Sequence, residues 1–182
     1  ATEDPRLREG ARRLDDRRRE AGVPGGRVVG REAGHVEHAG PARQLVGVPR
    51  PELTELVARS LAMLGTDRAW VVHGADGIDE ISTCGYSKVS ECRAGFVRTF
   101  FLHPSDFGLP RASLADLAGG DPDTNATLTR HLLDGARGAR RDIVVLNAAA
   151  ALLVAGVVAS VRDGLARASA AIDSGAARAT LE

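Results

Sequence analysis

Aromatic residues are scarce: one Trp, one Tyr and four Phe, 3% of 182 residues. The stacking platforms on which most single-strand nucleic-acid binders hold bases are therefore missing, which disfavours nucleic acid as a partner, and the core has to be built from Ala, Val and Leu. Cysteine is nearly absent as well. Cys84 and Cys92 are too few for a disulfide framework and lack the CxxC metal spacing, so a reducing, cytoplasmic setting fits. Neither sign of charge dominates. With 24 basic and 24 acidic residues, no net field draws the molecule onto a polyanion or an anionic membrane. No charged segment followed by an apolar one opens the chain. Because it starts at Ala1 and has Met63 as its only methionine, it reads as a fragment of a longer protein.

What is present is enough apolar material for a core. Hydrophobic residues make up 43%, and 21 glycines add to that, which excludes wholesale disorder. A chain of this length can bury roughly 70% of its unfolded surface. Residues 1–39 stand apart. Charges crowd Arg12 to Glu20, glycines follow from Gly22 to Gly34, and large apolar residues are few. Such a segment has little to bury and is expected to be poorly ordered, or unrelated to the remainder.

Residues 40–182 read as a folded α/β domain. Pro51 sits at a first-turn position; Leu53, Leu56, Val57, Leu61 and Leu64 recur at helical spacing; Gly65 closes the segment. Ala69-Trp70-Val71-Val72-His73 is a short apolar run ending at Gly74, the mark of a buried strand. A helix leading into a strand through a short turn is the α/β unit. Ser87–Cys92 and Phe96–Leu102 flank Arg93-Ala94-Gly95 as a hairpin would. Ser113 can cap a turn through Leu117, and Asp121-Pro122 starts a helix running to Gly135. The apolar stretch from Ile143 to Val161 approaches bilayer-spanning length. Its alanines, its glycine and its flanks carrying both signs of charge favour one buried core helix over a membrane span. A last amphipathic helix, Leu165–Ile172, is stopped by Ser174-Gly175.

The string with most chemistry is Val71-Val72-His73-Gly74-Ala75-Asp76-Gly77-Ile78-Asp79-Glu80-Ile81-Ser82. Ligands of open α/β sheets gather outside the carboxyl ends of strands, and here such an end runs into a loop carrying three carboxylates. Neighbouring acids on a strand point to opposite faces, whereas on a loop Asp79 and Glu80 can turn toward one hard cation. Magnesium, which takes one or two carboxylates and fills its octahedron with water and phosphate, suits such a pair. A turn closed by its own Asx hydrogen bonds is the plainer alternative.

The same string, together with Gln44-Leu45-Val46-Gly47-Val48 before it and Gly119-Gly120-Asp121, Asn125-Ala126 and Asn147-Ala148-Ala149 after it, resembles the C-terminal half of the anthranilate phosphoribosyltransferases. The resemblance covers residues 40–182. It implies most of a phosphoribosyltransferase α/β domain: a buried sheet, surrounding helices and a β-hairpin, without the family's N-terminal helical domain. It also implies transfer of a phosphoribosyl group from phosphoribosyl pyrophosphate to the amino group of anthranilate, a step of tryptophan biosynthesis. By the same resemblance Asp79 and Glu80 help hold Mg²⁺, and the full-length family member is a homodimer through the helical domain. The family's glycine-rich phosphate loop of GTGGD type and its Lys-His-Gly-Asn-Arg stretch do not occur in this sequence. The acceptor-site and phosphate-site residues are thus not identified here, and the chain alone is expected to show little or no activity. A non-catalytic relative on the same fold, binding nucleic acid or complementing another chain, is the alternative.

Other candidates have structural explanations. Gly119-Gly120-Asp121-Pro122 could cradle a phosphate at a helix start, but already reads as an N-cap. His73 beside the acidic loop could shuttle protons, yet suits a hydrogen-bonded strand end. Cys84 and Cys92 read as inert thiols, and Asn147 as an amide meeting a buried partner. His35, His38, His103 and His131 have no ligand spacing.

Overall fold

The computed structural model describes residues 43–181, which belong to a unit spanning residues 40–182. The expectations placed on residues 1–39 lie outside the described residues. Four strands form one mixed sheet in the order β1 (Arg43–Gly47), β2 (Arg68–Gly74), β3 (Ser87–Arg93), β4 (Phe96–Leu102). The first pair is parallel and the other two are antiparallel. Helix α1 (Leu53–Met63) makes the crossover that a parallel pair requires.

Strand β2 is buried along six of its seven residues, so its sequence is an unbroken apolar run rather than an alternating one. The period of two is still present in the packing. Trp70 and Val72 join Val89, Leu146 and Leu153 on one face, whereas Ala69 and Val71 join Ala58 and Cys92 under α1 on the other. The hairpin β3–β4 turns through Ala94 and Gly95, both at positive φ, the two-residue geometry whose twist matches that of the strands.

After β4 come a 3-10 turn (Pro104–Phe107), α2 (Leu114–Leu117), α3 (Pro122–Leu133), α4 (Ala139–Ala155), α5 (Val161–Asp173) and α6 (Ala176–Leu181). The caps read from sequence form as expected. The Ser113 side chain accepts from the Asp116 amide and that of Asp121 from the Thr124 amide, satisfying donors that the first turn leaves free.

The apolar stretch 143–161 is not one helix. It breaks at Gly156, whose φ of 75° closes α4 in the left-handed conformation, and Val161 opens α5 behind the Ser160 N-cap. Nor is α4 buried on every side, since Val144 is 44% exposed. The C-terminal carbonyls of α4 are held from the sheet: Arg43 donates to Ala155 at 2.7 Å and Arg68 to Leu153 at 2.8 Å, two cations at the negative end of the helix. The alanine content has a packing cause. Gly164 of α5 lies so near Ala149 of α4 that a methyl group would fall 2.7 Å from the Ala149 carbonyl oxygen, so the two helices meet through their smallest residues. No helix among the described residues is long and apolar enough to cross a membrane.

Candidate functional site

The acidic loop leaves β2 in a tight turn. Gly77 donates to the Gly74 carbonyl and Gly74 to the Ile78 carbonyl, both at 2.9 Å. Of its three carboxylates, the fold turns one inward and leaves two outside. Asp76 accepts from the Ser82 hydroxyl at 2.7 Å, while its other carboxyl oxygen is buried without a partner. The Ser82 hydroxyl in turn accepts from the Cys84 amide at 2.8 Å. Asp76 therefore braces the loop through Ser82. The turn itself is closed backbone to backbone, and among the described residues no loop N–H donates to the Asp76 carboxylate, so the Asx-turn alternative does not describe it. Asp79 and Glu80 are exposed, and neither carboxylate has a hydrogen-bond or ion-pair partner among the described residues.

Both acids line a cleft of about 580 Å³. Its far wall comes from α2, the Gly119 turn, Asn125 and Leu128 of α3, and Arg140, Ile143 and Val144 at the start of α4. Two motifs about forty residues apart in sequence, the acidic loop and the Gly-Gly-Asp helix start, thus face one space. The wall is mostly apolar. Arg140 stands in it with its guanidinium donating to the Ala118 carbonyl at 2.7 Å, a cleft residue that sequence spacing did not single out.

The loop is held where it passes the sheet and α4. Gly47, the last residue of β1, packs so tightly on the Asp79 backbone that a side chain there would overlap the Asp79 carbonyl oxygen. On the other side of the acids, Asn147 of α4 accepts from the Ile81 amide and donates to the Ile81 carbonyl, each at 2.9 Å. The buried partner expected for Asn147 is this stretch of loop. Across the cleft Asn125 does the same for Gly120, accepting from its N–H and donating to its C=O at 2.9 Å. With that N–H engaged, the Gly119-Gly120 turn is a helix cap, as expected, and not an open phosphate cradle. The Thr124 amide donates to Asp121 and holds its carboxyl below the usual carboxylate range.

The remaining candidates behave as structural groups. His73 is buried, its Nδ1 bonded to the Val48 carbonyl oxygen at 2.9 Å. Cys84 and Cys92 are free and buried. Burial pushes both thiols up, with the carboxylates of Asp76 and Glu91 adding to it, which opposes the thiolate a reactive cysteine needs. His103 caps the 3-10 turn through Ser105, and His131 lies exposed on α3. His35 and His38 lie outside the described residues. Among the described residues no three or more His, Cys, Asp or Glu side chains are grouped to enclose a metal ion. What the site offers is an open pair of carboxylates.

A mixed sheet with helices on both faces and an acidic strand-end loop facing a cleft is the architecture of a glycosyltransferase α/β domain. Residues 35–178 match the family described as glycosyl transferase family, a/b domain, and the chain belongs to that family. Within it, the chain is 55% identical over 139 residues to the anthranilate phosphoribosyltransferase of Parvibaculum lavamentivorans, covering 76% of this chain and 41% of that protein. To the anthranilate phosphoribosyltransferase of Moorella thermoacetica it is 52% identical over 144 residues, 79% of this chain and 42% of that one. Among solved structures, the Thermus thermophilus anthranilate phosphoribosyltransferase superposes with a TM-score of 0.64 at 40% identity, covering 71% of this chain and 38% of that one. The Saccharomyces cerevisiae enzyme in complex with PRPP and Mg gives 0.64 at 26% identity, with coverages of 73% and 39%. The chain spans about two fifths of the length of these relatives.

Proposed function

We propose that residues 43–181 are the α/β portion of an anthranilate phosphoribosyltransferase, moving a phosphoribosyl group from phosphoribosyl pyrophosphate to the amino group of anthranilate. One observation carries the reading: two adjacent, exposed carboxylates without a partner among the described residues, in the loop at the carboxyl end of a buried strand. Exposed adjacent carboxylates beside a cleft are available to a shared hard cation. Their chemistry, two carboxylates side by side and open to the cleft, fits Mg²⁺, a hard ion that needs few protein ligands and keeps positions for water and phosphate oxygens. Asp79 and Glu80 would hold it, and when bound it would supply positive charge against the departing diphosphate.

The chain's own residues supply placement. The loop turn, Gly47 and Asn147 set where the backbone of the two acids stands, Asn125 shapes the opposite wall, and the lining from Leu114 to Val144 gives the cleft a largely apolar far side. Support for the substrates comes from two relatives, the yeast enzyme in complex with PRPP and Mg and the yeast enzyme in complex with 4-fluoroanthranilate. Two buried free thiols accord with a cytoplasmic enzyme, and the family resemblance with a homodimer of the full-length protein.

The test is a graft. Replacing the matching 139 residues of the Parvibaculum lavamentivorans enzyme by those of this chain should give a protein that forms phosphoribosyl anthranilate, while residues 1–182 alone form little or none. A folded graft with no transfer would overturn the reading.

A further inference from the structure

Asn147 lies in the interior of α4, remote in sequence from the acid pair, yet its amide spends every hydrogen bond on one task. Its Oδ1 accepts from the Ile81 N–H, and its Nδ2 donates to the Ile81 carbonyl and, one turn back, to the Ile143 carbonyl at 3.0 Å. Ile81 directly follows Glu80 and is 1% exposed, so its backbone groups have no water to turn to. Ile143, the other end of the bridge, lines the cleft that Asp79 and Glu80 line. A single side chain therefore joins the two walls. On the upstream side of the acids, Gly47 abuts the Asp79 carbonyl with no room for a methyl group. The acid pair is thus fixed at both ends, by a missing side chain before it and a two-point amide bridge after it.

From this geometry we infer that Asn147 and Gly47 are positioning residues for the Asp79-Glu80 cation site: they fix the backbone on which the two carboxylates converge on one ion. The inference rests on the cation reading of that pair. Neither residue touches the ion. With the backbone held on both sides, the two adjacent acids would be placed to offer oxygens to one ion, as the outer partners of metal ligands do for their ligands. Asparagine is required by type. Leucine matches its size without polar atoms, and aspartate keeps the acceptor for the Ile81 N–H but loses both donors and sets a carboxylate against two carbonyl oxygens.

The probe is Mn²⁺ alone, titrated into the purified 182-residue chain and followed by the electron paramagnetic resonance of the free ion, with a thermal melt of each variant alongside. The unmodified chain should bind Mn²⁺, and the Asp79→Asn, Glu80→Gln double variant should not. Asn147→Leu, Asn147→Asp and Gly47→Ala should each weaken binding about tenfold in samples that still melt cooperatively. If Asn147→Leu does not fold, Asn147→Asp and Gly47→Ala carry the comparison, acting on opposite sides of the pair. Unchanged affinity in the folded variants, with binding still dependent on the acids, would overturn the positioning role alone. No binding by the unmodified chain, or equal binding by the double variant, would overturn the cation site and the positioning role together.

Discussion

Replacing Glu91 with leucine is expected to lower the free energy of unfolding by about 3–5 kcal/mol, the usual loss when one partner of a buried ion pair is removed. Glu91 is 1% exposed in the middle of β3, where an isolated carboxylate would be untenable. Three donors make it tenable: Arg68 Nε and Trp70 Nε1 at 3.0 Å on one oxygen, and Arg98 Nε at 2.7 Å on the other. Without the carboxylate, the Trp70 N–H is buried with no acceptor and the Arg68 guanidinium, only 15% exposed, loses its counter-charge. Arg68 also holds the end of α4 through Leu153, so the loss reaches a second element. Arg98 is 71% exposed but is the donor to the second Glu91 oxygen; its replacement by alanine should cost about 1–3 kcal/mol, the penalty of a buried acceptor left without its donor.

Burial alone would raise the Glu91 carboxyl, but the indole and guanidinium hydrogen bonds outweigh it and hold the group below the ordinary value of 4.5. A carboxyl lowered by folding contributes stability above its unfolded value and loses it as pH falls through the folded one. Urea titrations should therefore show a Glu91-dependent part of the stability that is complete above about pH 4.5, declines below it, and is missing from the leucine variant. Equal stabilities at pH 7 would remove the cluster from any account of the fold.

A larger effect on chemistry is expected from Asp79→Asn with Glu80→Gln in the grafted enzyme. Two unit charges 4 Å apart at an effective dielectric of 20 interact by about 4 kcal/mol, which corresponds to roughly a thousandfold in rate if that stabilisation is lost in the transition state. The drop in kcat/KM at saturating Mg²⁺ should be of that order, with little change in stability because both side chains are exposed and have no partner among the described residues. Turnover within a factor of three of the unmodified graft would mean that the acids have no part in the transfer.

Where structure is dictated locally, the sequence was sufficient. The α1 helix carries its own spacing and end signals, β2 its buried run, and the caps at Ser113 and Asp121 their own hydrogen bonds. The segment Leu45-Val46-Gly47-Val48 gave no such signal, because β1 is made a strand by its pairing with β2 some 25 residues later. The 143–161 run misled through composition: hydropathy alone does not register a left-handed Gly156, although Ser160 three residues ahead of Asp163 marks a new helix start. In the site, the acid pair was legible as a strand-end loop. The separate fate of Asp76 was not, since it turns on Ser82 folding back over the loop. Nor was the far wall of the cleft, with Arg140 and Val144, because only the packing of α2, α3 and α4 creates it.

Calorimetric titration of the 182-residue chain with inorganic diphosphate, in Mg²⁺ and in its absence, addresses the acid pair most directly. Binding should require Mg²⁺ and vanish when Asp79 and Glu80 are both made neutral, with the melting temperature unchanged. Diphosphate binding that proceeds without the metal, or persists in the neutral variant, would contradict the assignment of these two carboxylates.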